Sequence, residues 1–585
     1  MTYNYYDFEE KNALEDEVEE EKNALLEQIK HEKDILKAEM ITEKTLMEVE
    51  ERENEGRAIN DLLLSEILKT RKYFTCLEFT RKEKIKTEMK KGDMALLTIN
   101  GKEINCYIYE INSNSVIIRT DEKIPKLSKN NDAKLDFILN ETTFRRWEKN
   151  LHNLNENGKR ALKFKSNSIA TRTDNKNKKV DFVNKSLDKY QKRAVERAIT
   201  SNDFFLIHGP FGTGKTTTII ELILQEVKLD HKILVTGESN TAIDNILEKL
   251  KRHENKINFT RVGTWNKIRY SLRKYALDYK IKDFLDDKIN NDKKQEIEEK
   301  ILKDSDIILT TNSSAMARSL SDIQFNIAII DEASQATIPS VLIPINKADK
   351  FVLIGDHKQL PPVVLNNKAK YLKKSLFEEL ITKYKHQSQE LLIQYRMNEI
   401  LMKFPNEKFY ENKLICSKKS KNYYLDKVIE KYDSTSPLIF IDTSKHKNNK
   451  ETPSRSHSYT NDLEIGLILE IINMYLGKGI PPKDIGVIAP YAKQVMLIKE
   501  KTEVAVKSVD GFQGGEKDII IISLVRSNDN KDIGFLKDLQ RLNVSLTRAK
   551  KKLIIIGNRE TFESDDAYNE LLEFCEGLMC IHTLH

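Results

Sequence analysis

The sequence predicts an α/β protein with parallel sheets, preceded by a helical stalk and a small β-barrel. Three observations predict this fold class. After residue 188, short apolar runs alternate with segments of helical periodicity, which is the order that a parallel sheet with crossover connections requires. Before that point, runs rich in β-branched residues are separated by Asn-Gly and Asn-Ser-Asn turns. The residues in front of these runs are dense in Glu and Lys.

The segment from about residue 8 to residue 70 has the composition of a long charged helix or a helical hairpin. It contains no proline, and it contains no glycine before Gly56. Apolar residues recur at roughly helical spacing, at Leu14, Leu25, Ile29, Ile35, Leu36 and Met40. This pattern favours a solvated helix with a narrow packing stripe over a long coiled-coil dimer.

The β-rich runs between about Tyr73 and Leu139 predict a small antiparallel barrel or sheet. Helix is predicted from Thr142 to Leu162, and a linker is predicted from Ser166. The resulting division is a charged stalk at 1–72, a barrel at 73–141, a stalk helix and linker at 142–185, and α/β domains at 186–388 and 389–585. A charged helical insertion is expected at about 270–303.

Nine apolar runs are candidate strands of the two α/β domains. In the first domain they begin at Phe204, Lys232, Asp306, Ile327 and Phe351. In the second domain they begin at Leu438, Ile485, Asp518 and Lys552. Only the first set is associated with a glycine-rich phosphate loop.

Bulk composition limits the setting of the protein. The 585 residues have room for about three or four domains. A net charge of +6 is small beside 97 basic and 91 acidic side chains, so it allows local basic tracks without proving a nucleic-acid partner. Five cysteines without a CxxC pair favour a reducing compartment without structural zinc. The N-terminus lacks a secretion signal, and no apolar stretch is long enough for a bilayer, so we expect a cytosolic protein, or a nuclear one in a eukaryotic host.

The stretch from Phe204 to Leu224 predicts a site for a nucleoside triphosphate. Its apolar strand, glycine-rich turn and helix fit the phosphate-loop spacing, at Gly209, Gly212, Gly214, Lys215 and Thr216. The glycines let successive N–H groups converge on phosphate oxygens, and the helix N-terminus adds positive potential. The lysine is expected to reach the terminal phosphates, and the threonine hydroxyl is expected to hold Mg²⁺.

Polar residues follow two further strands. Asp331 and Glu332 end an apolar strand, where the first would orient the water shell of Mg²⁺ and the second would polarise the attacking water. Gln359 follows another strand, at a position suited to contact the γ-phosphate. Arg396 and Arg548 come from the second half of the chain, and a transferring phosphoryl group calls for guanidinium groups supplied across an interface.

Seven motifs in order resemble those of superfamily 1 helicases: GPFGTGKT, SNTAIDNI, DEASQA, GDHKQLPP, QYRM, VDGFQGGEKD and RLNVSLTRAK. More narrowly, they resemble the 5′-to-3′ branch typified by the up-frameshift nonsense-mediated-decay helicase, the immunoglobulin-mu-binding helicase and the Dna-two type. The motifs span residues from about 187 to 558. The resemblance implies two RecA-like domains that bind ATP between them, with a stalk, a small barrel and a helical insertion.

The resemblance also implies roles for individual residues. Gln191 would contact adenine, Tyr395 would stack near the base and Glu516 would touch the ribose. Gly514 would let the backbone approach the nucleotide, and Thr217 completes the nucleotide-binding set. Arg396 and Arg548 would be arginine fingers. The implied nucleic-acid contacts are Ser239, Asn240, Thr310, Thr311, Pro490, Tyr491, Ser508, Val509 and Asp510.

The sequence therefore predicts an ATP- and Mg²⁺-dependent helicase that moves 5′ to 3′ on single-stranded DNA or RNA, acting as a monomer. Small hydroxyl and amide groups at strand ends suit a motor that holds the backbone without discriminating between bases. Two alternatives stay open at this point. The protein could be an ATP-gated clamp or ribonucleoprotein remodeller with little unwinding, or an ATPase scaffold whose N-terminal stalk recruits a protein partner.

Overall fold

The computed structural model describes residues 5–54, 56–71, 74–85, 87, 89, 91–124, 131–138, 141–166, 168–172, 180–283, 291–366, 368–427, 435–454 and 458–585. The segments of predicted regions that lie outside the described residues include 125–130 of the barrel, 173–179 of the linker and 284–290 of the helical insertion. The chain folds into an N-terminal helical region, a closed β-barrel and two parallel sheets with helices on their faces.

The chain begins with a long helix, α1 (Tyr5–Leu46), followed by the short helix α2 (Val49–Asn54). α1 buries a narrow stripe that contains Val18, Leu25 and Ile29. On the same side, the buried carboxylate of Glu32 accepts hydrogen bonds from the backbone N–H groups of Leu365 and Asn366, both at 2.8 Å. α1 is thus attached to a loop that lies more than 300 residues away in the sequence.

The expectation of helix as far as residue 70 is wrong for its last part, because Ala58–Arg71 forms the strand β1. The helical run ends before Gly56, which has a left-handed φ of 73°. Ala58, Ile59, Leu62 and Leu64 are buried in the barrel core. The Leu and Glu residues of this segment favour helix locally, but pairing with two neighbouring strands overrides that preference.

A small closed barrel is present, as predicted, but it includes β1 and so begins before residue 73. Its strand order is β1-β2-β5-β4-β3-β6, and all neighbours are antiparallel. The remaining strands are β2 (Phe74–Thr80), β3 (Met94–Ile99), β4 (Lys102–Ile111), β5 (Ser115–Thr120) and β6 (Asp132–Phe137). Asn100 and Gly101 join β3 to β4 with φ of 50° and 72°, as a tight hairpin turn requires.

Two helices connect the barrel to the first sheet: α3 (Thr142–His152) and α4 (Glu156–Ser166). The sequence predicted one continuous helix from residue 142 to residue 162. The break has a local cause, since the side-chain oxygen of Asn155 accepts from the N–H groups of Asn157 and Gly158 and so starts a new helix. Both helices share a hydrophobic core with α1 and with one face of the first sheet.

The first sheet has seven parallel strands in the order β13-β7-β12-β11-β8-β10-β9. They are β7 (Phe204–His208), β8 (Ile233–Gly237), β9 (Phe259–Arg261), β10 (Ile307–Thr311), β11 (Phe325–Asp331), β12 (Ala348–Gly355) and β13 (Ser388–Glu390). Its helices are α5 (Lys189–Thr200), α6 (Lys215–Val227), α7 (Asn240–Leu250), α8 (Leu277–Asp283), α9 (Asn291–Asp304), α10 (Ile338–Ile345) and α11 (Leu376–Lys383). All five candidate strands are strands, whereas the short edge strands β9 and β13 were not predicted.

The second sheet has six parallel strands in the order β20-β19-β21-β22-β16-β23. Two short pairs accompany it, β14 (Ile393–Gln394) with β15 (Ile415–Cys416) and β17 (Thr452–Pro453) with β18 (Tyr459–Thr460). The sheet strands are β16 (Leu438–Asp442), β19 (Ile485–Ile488), β20 (Ala505–Lys507), β21 (Lys517–Ser523), β22 (Ala549–Gly557) and β23 (Ile581–Thr583). The helices are α12 (Glu399–Tyr410), α13 (Asp462–Gly477), α14 (Ala492–Lys499), α15 (Leu539–Leu546), α16 (Arg559–Phe562) and α17 (Asp566–Gly577). The four strands predicted here are present.

Loops at the carboxyl ends of the first sheet pack directly against the second. Phe211, which follows β7, and Leu360, which follows β12, lie in the hydrophobic core of the second sheet. Within the described ranges, no helix combines the length and the apolar character needed to cross a membrane. The interface between the sheets is where most of the predicted nucleotide-binding residues meet.

Candidate nucleotide and nucleic-acid site

The predicted phosphate loop occupies residues 209–214, between β7 and α6. Gly212 and Gly214 have left-handed φ values of 68° and 82°, which residues with a Cβ rarely adopt. The ammonium of Lys215 donates to the carbonyl of Gly209 at 2.8 Å, so it lies across the loop. Because α6 begins at Lys215, the positive end of its dipole faces the same loop. The loop is thus built as an anion cradle.

Gln191 and Tyr395 lie at one side of this loop. The amide nitrogen of Gln191 donates to the carbonyl of Thr213 at 3.0 Å, and its amide oxygen accepts from the N–H of Asp188. The Tyr395 hydroxyl donates to the Asp188 carboxylate at 2.8 Å, and its ring is half-exposed. Burial of the hydroxyl, together with the nearby carboxylate, raises the pKa of Tyr395 above its ordinary value. A partly exposed aromatic ring beside a phosphate loop can stack on a base.

The acidic pair ends β11, two strands from the phosphate loop in the sheet. Asp331 is buried, and burial together with the charge of Glu332 raises the pKa of Asp331 to about 7, against the opposing effect of Lys215. Glu332 has a left-handed φ of 51°, and its carboxylate accepts from the side-chain amide of Gln335 at 2.8 Å. A left-handed conformation in a residue other than glycine stores about 1–2 kcal/mol and is typical of functional sites.

Gln359 lies in a buried cluster beyond the end of β12. Its amide nitrogen donates to Asp356 Oδ2 at 2.7 Å, and its oxygen lies 3.4 Å from Nη2 of Arg548. Asp356 also faces the ring of His208, with a distance of 3.0 Å between Nε2 and Oδ1. Burial raises the pKa of Asp356, but the hydrogen bond and charge of His208 outweigh it, and the net pKa is well below the ordinary range. Asp356 is therefore ionised and holds the Gln359 side chain in place.

Both predicted arginine fingers extend from the second sheet to this interface. Arg396 donates from Nε to Glu516 at 2.7 Å and from Nη1 to the carbonyl of Thr547 at 3.0 Å. Arg548 is almost fully buried and donates from Nε to the carbonyl of Val544 at 2.9 Å. Burial and the charge of Arg396 lower the pKa of Arg548 to about 9.

The charges at this interface fit a nucleoside triphosphate with a divalent cation. Within the described part of the chain, neither Lys215 nor Arg548 forms an ion pair with a carboxylate. Two cations with no anionic partner suit phosphate oxygens. Asp331 has the opposite need: burial disfavours its ionised carboxylate, and a bound cation would stabilise that carboxylate. The hydroxyl of Thr216, in the first turn of α6, is of the ligand type that Mg²⁺ prefers.

Gly514 and Thr217 complete the predicted nucleotide set. Gly514 has a left-handed φ of 71° and lies two residues before Glu516. Thr217 Oγ1 lies 3.4 Å from Nζ of Lys249, a lysine of α7 that the sequence did not single out. Burial lowers the pKa of Lys249, whereas the charges of Asp331 and Glu516 oppose that effect, so its ammonium faces the same interface.

The first-sheet residues predicted to contact nucleic acid lie at the carboxyl ends of two neighbouring strands: Ser239 and Asn240 follow β8, and Thr310 and Thr311 are the last residues of β10. The Ser239 hydroxyl caps α7 by accepting from the N–H of Ala242 at 3.1 Å. The Asn240 side chain accepts from the buried Arg261 at 2.7 Å, so its oxygen is already engaged. Thr310 is fully buried, whereas Thr311 is partly exposed and bonds to Ser314 at 2.9 Å. Ser239 and Thr311 are thus the better placed of these four for a strand backbone.

The second-sheet residues of the same set follow β19 and β20. Tyr491, which follows Pro490, is buried, and its hydroxyl accepts from Arg526 at 3.2 Å. The Ser508 hydroxyl accepts from the N–H of Gly511 at 3.2 Å, which closes the turn that contains them. Val509 is buried, and Asp510 pairs with Arg541 at 3.4 Å. Tyr491 and Val509 therefore support this surface from below.

Comparisons with known proteins show the family of the chain. Two family models, each described as an AAA domain, match the chain. One matches residues 186–297 and 285–367, and the other matches residues 372–560. An uncharacterized ATP-dependent helicase of Methanocaldococcus jannaschii is 35% identical, over 90% of this chain and 92% of its own length. The chain belongs to the superfamily 1 helicases.

Longer relatives of this helicase match over part of their length. DNA polymerase alpha-associated DNA helicase A of Schizosaccharomyces pombe is 34% identical, over 68% of this chain and 67% of its own length. The bovine DNA replication ATP-dependent helicase/nuclease DNA2 is 31% identical, over 87% of this chain and 52% of its own. The chain thus spans about half the length of the DNA2 relative. A solved arterivirus helicase, nonstructural protein 10, aligns with 87% of the chain and 79% of its own at 10% identity and a TM-score of 0.40, which adds nothing to the family assignment.

Sequence reasoning missed several side chains that the helicase brings to the interface. Asp356 and His357 lie inside the motif around Gln359: the sequence identifies Asp356 as a polar residue at the end of this strand, but it predicts no role for either residue. His208 directly precedes the phosphate loop, and its ring lies between Asp356 and Glu390. Tyr410 gave no sequence signal, because it lies at the end of a helix between two motifs.

Proposed function

We propose that this helicase hydrolyses ATP between its two sheets and uses the cycle to move 5′ to 3′ along single-stranded nucleic acid and separate strands. The observation that supports this best is the approach of the second sheet to the phosphate loop. The N–H of Tyr395 donates to the carbonyl of Gly212 at 2.8 Å, and Arg548 reaches Gln359. Groups from both sheets thus converge on one site, as a motor driven by closure requires.

Each residue of the site has its own role in phosphoryl transfer. Bound Mg²⁺ would neutralise charge on the β- and γ-phosphates, and Thr216 and Asp331 are the residues that would hold it. When the nucleotide binds, the ammonium of Lys215 leaves the carbonyl of Gly209 and binds the terminal phosphates. Glu332, held by Gln335, orients the attacking water and takes up its proton. Gln359, Arg396 and Arg548 stabilise the negative charge that the transferring group carries.

The nucleic-acid strand would lie along the ends of strands from both sheets. Ser239, Thr311 and Ser508 offer hydroxyl groups to phosphates and sugars, which suits DNA or RNA of any sequence. The direction of movement is supported by the resemblance to the 5′-to-3′ branch. Since the two sheets would move relative to one another during closure, each sheet would in turn hold and release the part of the nucleic-acid strand that lies on it.

We assign residues 186–388 and 389–585 to the two RecA-like domains, with the helical insertion at about 270–303 in the first. The barrel is assigned to 58–141, which corrects the predicted start, and α1 with α2, α3 and α4 forms the stalk. We propose that the motor works as a monomer, because its arginine fingers are supplied by its own second domain. The outer face of α1 is the surface we assign to a protein partner.

The test is ATP hydrolysis by the purified protein with Mg²⁺, alone and with single-stranded DNA or RNA, at low and moderate salt. We expect stimulation that weakens as salt rises, because contacts to phosphates release counterions. Lys215→Ala and Glu332→Gln should abolish turnover, whereas Lys228→Ala, in which a lysine just beyond the far end of α6 is changed, should not. Near wild-type turnover in folded Lys215→Ala protein would overturn the site assignment.

A strand-displacement assay then tests the motor itself. Duplexes with a 5′ or a 3′ single-stranded tail should be separated only when the tail is 5′. Unwinding from the 3′ tail alone would contradict the proposed direction. Turnover that nucleic acid stimulates, together with no separation of either duplex, would instead support an ATP-gated clamp. Turnover with no response to DNA or RNA would favour the partner-recruiting ATPase.

A further inference from the structure

Tyr410 occupies a junction between the two sheets that the established motifs do not include. It is the last residue of α12, whose apolar residues Leu401 and Phe404 lie in the core of the second sheet. Tyr410 itself is 5% exposed. Its helix thus belongs to the second sheet, while its side chain faces loops of the first.

The hydroxyl group of Tyr410 joins residues from both sheets. It donates to Asp356 Oδ2 at 2.7 Å, and it accepts from the side-chain amide of Asn543, on α15, at 2.9 Å. Asp356 in turn holds the amide of Gln359. Burial and the charge of Asp356 raise the pKa of Tyr410 well above its ordinary value, so the hydroxyl keeps its proton and stays a donor.

The ring of Tyr410 makes a second connection, to the phosphate loop. It meets the ring of Phe211 edge-on, with centroids 5.5 Å apart. Phe211 lies between Pro210 and Gly212 in the loop, and its side chain is 1% exposed among core residues of the second sheet. A displacement of α12 therefore acts on the phosphate loop through Phe211 and on Gln359 through Asp356.

We propose that Tyr410 is the positioning residue that couples movement of the second RecA-like domain to the phosphate loop and to Gln359. The proposal rests on the function proposed above and extends it to a residue outside the motifs. When the second domain closes, Tyr410 holds Asp356 so that Gln359 faces the γ-phosphate. When that domain moves away, the hydrogen bond from the Tyr410 hydroxyl to Asp356 is broken, whereas the bond from Asn543 moves with the second domain, so release of the phosphate site is linked to opening of the cleft.

The test removes the hydroxyl alone, with Tyr410→Phe, in the full-length protein. Phe keeps the ring contact with Phe211 and loses the bonds to Asp356 and Asn543. We expect kcat of basal and nucleic-acid-stimulated ATP hydrolysis to fall about tenfold, with KM for ATP changed less than threefold. The matched control is Tyr384→Phe, which removes a buried hydroxyl bond to the carbonyl of Ile169 at 3.0 Å, away from the interface. Its kcat should stay within twofold of wild type.

A double-mutant comparison separates coupling from a general loss of stability. If Tyr410 acts through Gln359, the variant Tyr410→Phe with Gln359→Ala should have the same kcat as Gln359→Ala alone, within twofold. Multiplicative losses in the double variant, or a Tyr410→Phe kcat within twofold of the Tyr384→Phe control, would overturn the proposal. If nucleic acid fails to stimulate the wild-type protein, the proposed motor function fails, while the basal kcat values still decide the role of Tyr410.

Discussion

Replacement of Gly212 by alanine tests the contact between the phosphate loop and the second sheet. Gly212 has a φ of 68°, and a Cβ there would lie 2.5 Å from Cβ of Arg396 and 3.1 Å from its backbone nitrogen. An ordinary contact begins at 3.4 Å, so the loop and Arg396 must separate by the difference between 3.4 and 2.5, about 0.9 Å. Neither partner is the end of a flexible side chain, so the backbone itself has to move.

Gly101 provides a matched control for the strain of the left-handed conformation. It has a φ of 72° in the β3–β4 turn, and a Cβ there meets no atom within 4 Å. Alanine should therefore cost a similar ~1–2 kcal/mol of backbone strain at both positions. Only Gly212→Ala also displaces Arg396, the proposed arginine finger, and a misplacement of about 1 Å in an active site costs about 10²-fold in rate.

The assay is a coupled measurement of steady-state ATP hydrolysis, together with urea unfolding of each variant. We expect Gly212→Ala to lose at least as much free energy of unfolding as Gly101→Ala, because the clash adds to the shared backbone strain, and only Gly212→Ala to lose about 100-fold in kcat. A kcat for Gly212→Ala within threefold of that for Gly101→Ala would refute the reasoning. It would mean that Arg396 approaches the loop less closely in the working enzyme, or that its distance from the loop does not govern the rate.

Three further predictions concern charge, pH and the N-terminal helix. Arg548→Lys keeps the charge but cannot reproduce the forked bonds of the guanidinium to Val544 and Thr547. In the same assay, kcat should fall about 10²-fold or more with little change in KM, and an unchanged kcat would contradict the role of Arg548 as an arginine finger. Burial alone would lower the pKa of His208, but the hydrogen bonds to Asp356 and Glu390 outweigh burial, and the net pKa is raised. Protonated His208 therefore stabilises the folded state, and the free energy of unfolding should fall as pH rises above about 6.5, towards the folded-state pKa. Burial and the charge of His208 lower the pKa of His357 to about 4, and Asp356 titrates at still lower pH, so both act below this window. Burial raises the pKa of Asp331 to about 7 and that of Glu464 to about 8, so these two groups add to the slope. His208→Gln should therefore reduce the slope in urea unfolding from pH 6.5 to 9, and an unchanged slope would exclude His208 as a contributor. Glu32→Ala leaves the buried N–H of Asn366 and the partly buried N–H of Leu365 without their acceptor and should cost about 2–4 kcal/mol of unfolding free energy. Glu39→Ala, on an exposed site of the same helix, should change it by less than about 0.5 kcal/mol, and equal effects would contradict this attachment.

The sequence predicts the central strands of both sheets because these strands are buried on both faces. Runs such as 204–207 and 438–441 are apolar without interruption and leave little choice of structure. The phosphate loop is predictable for a similar reason, since its glycines and lysine are neighbours in the chain. In each case the physical constraint acts over a few consecutive residues.

Features that depend on distant contacts were missed. The strand β1 has residues that favour helix, and only its neighbours β2 and β6 decide its structure. Tyr410 acts through Asp356, Phe211 and Asn543, which come from three other segments of the chain. The engagement of Asn240 by Arg261 and the burial of Thr310 are likewise set by packing, so the predicted nucleic-acid contacts could not be ranked from the motifs alone.

The attachment of α1 by Glu32 has a consequence for the order of events during synthesis. The bond from Leu365 to Glu32 spans 333 residues. At about 5–20 residues per second, a ribosome needs on the order of 20–60 s to make that stretch. The phosphate loop and the acidic pair are translated within this interval, before the acceptor on α1 meets its donors. α1 can pack against α3 and α4 as soon as those helices are made, but its attachment through Glu32 must wait for the loop that follows Gln359.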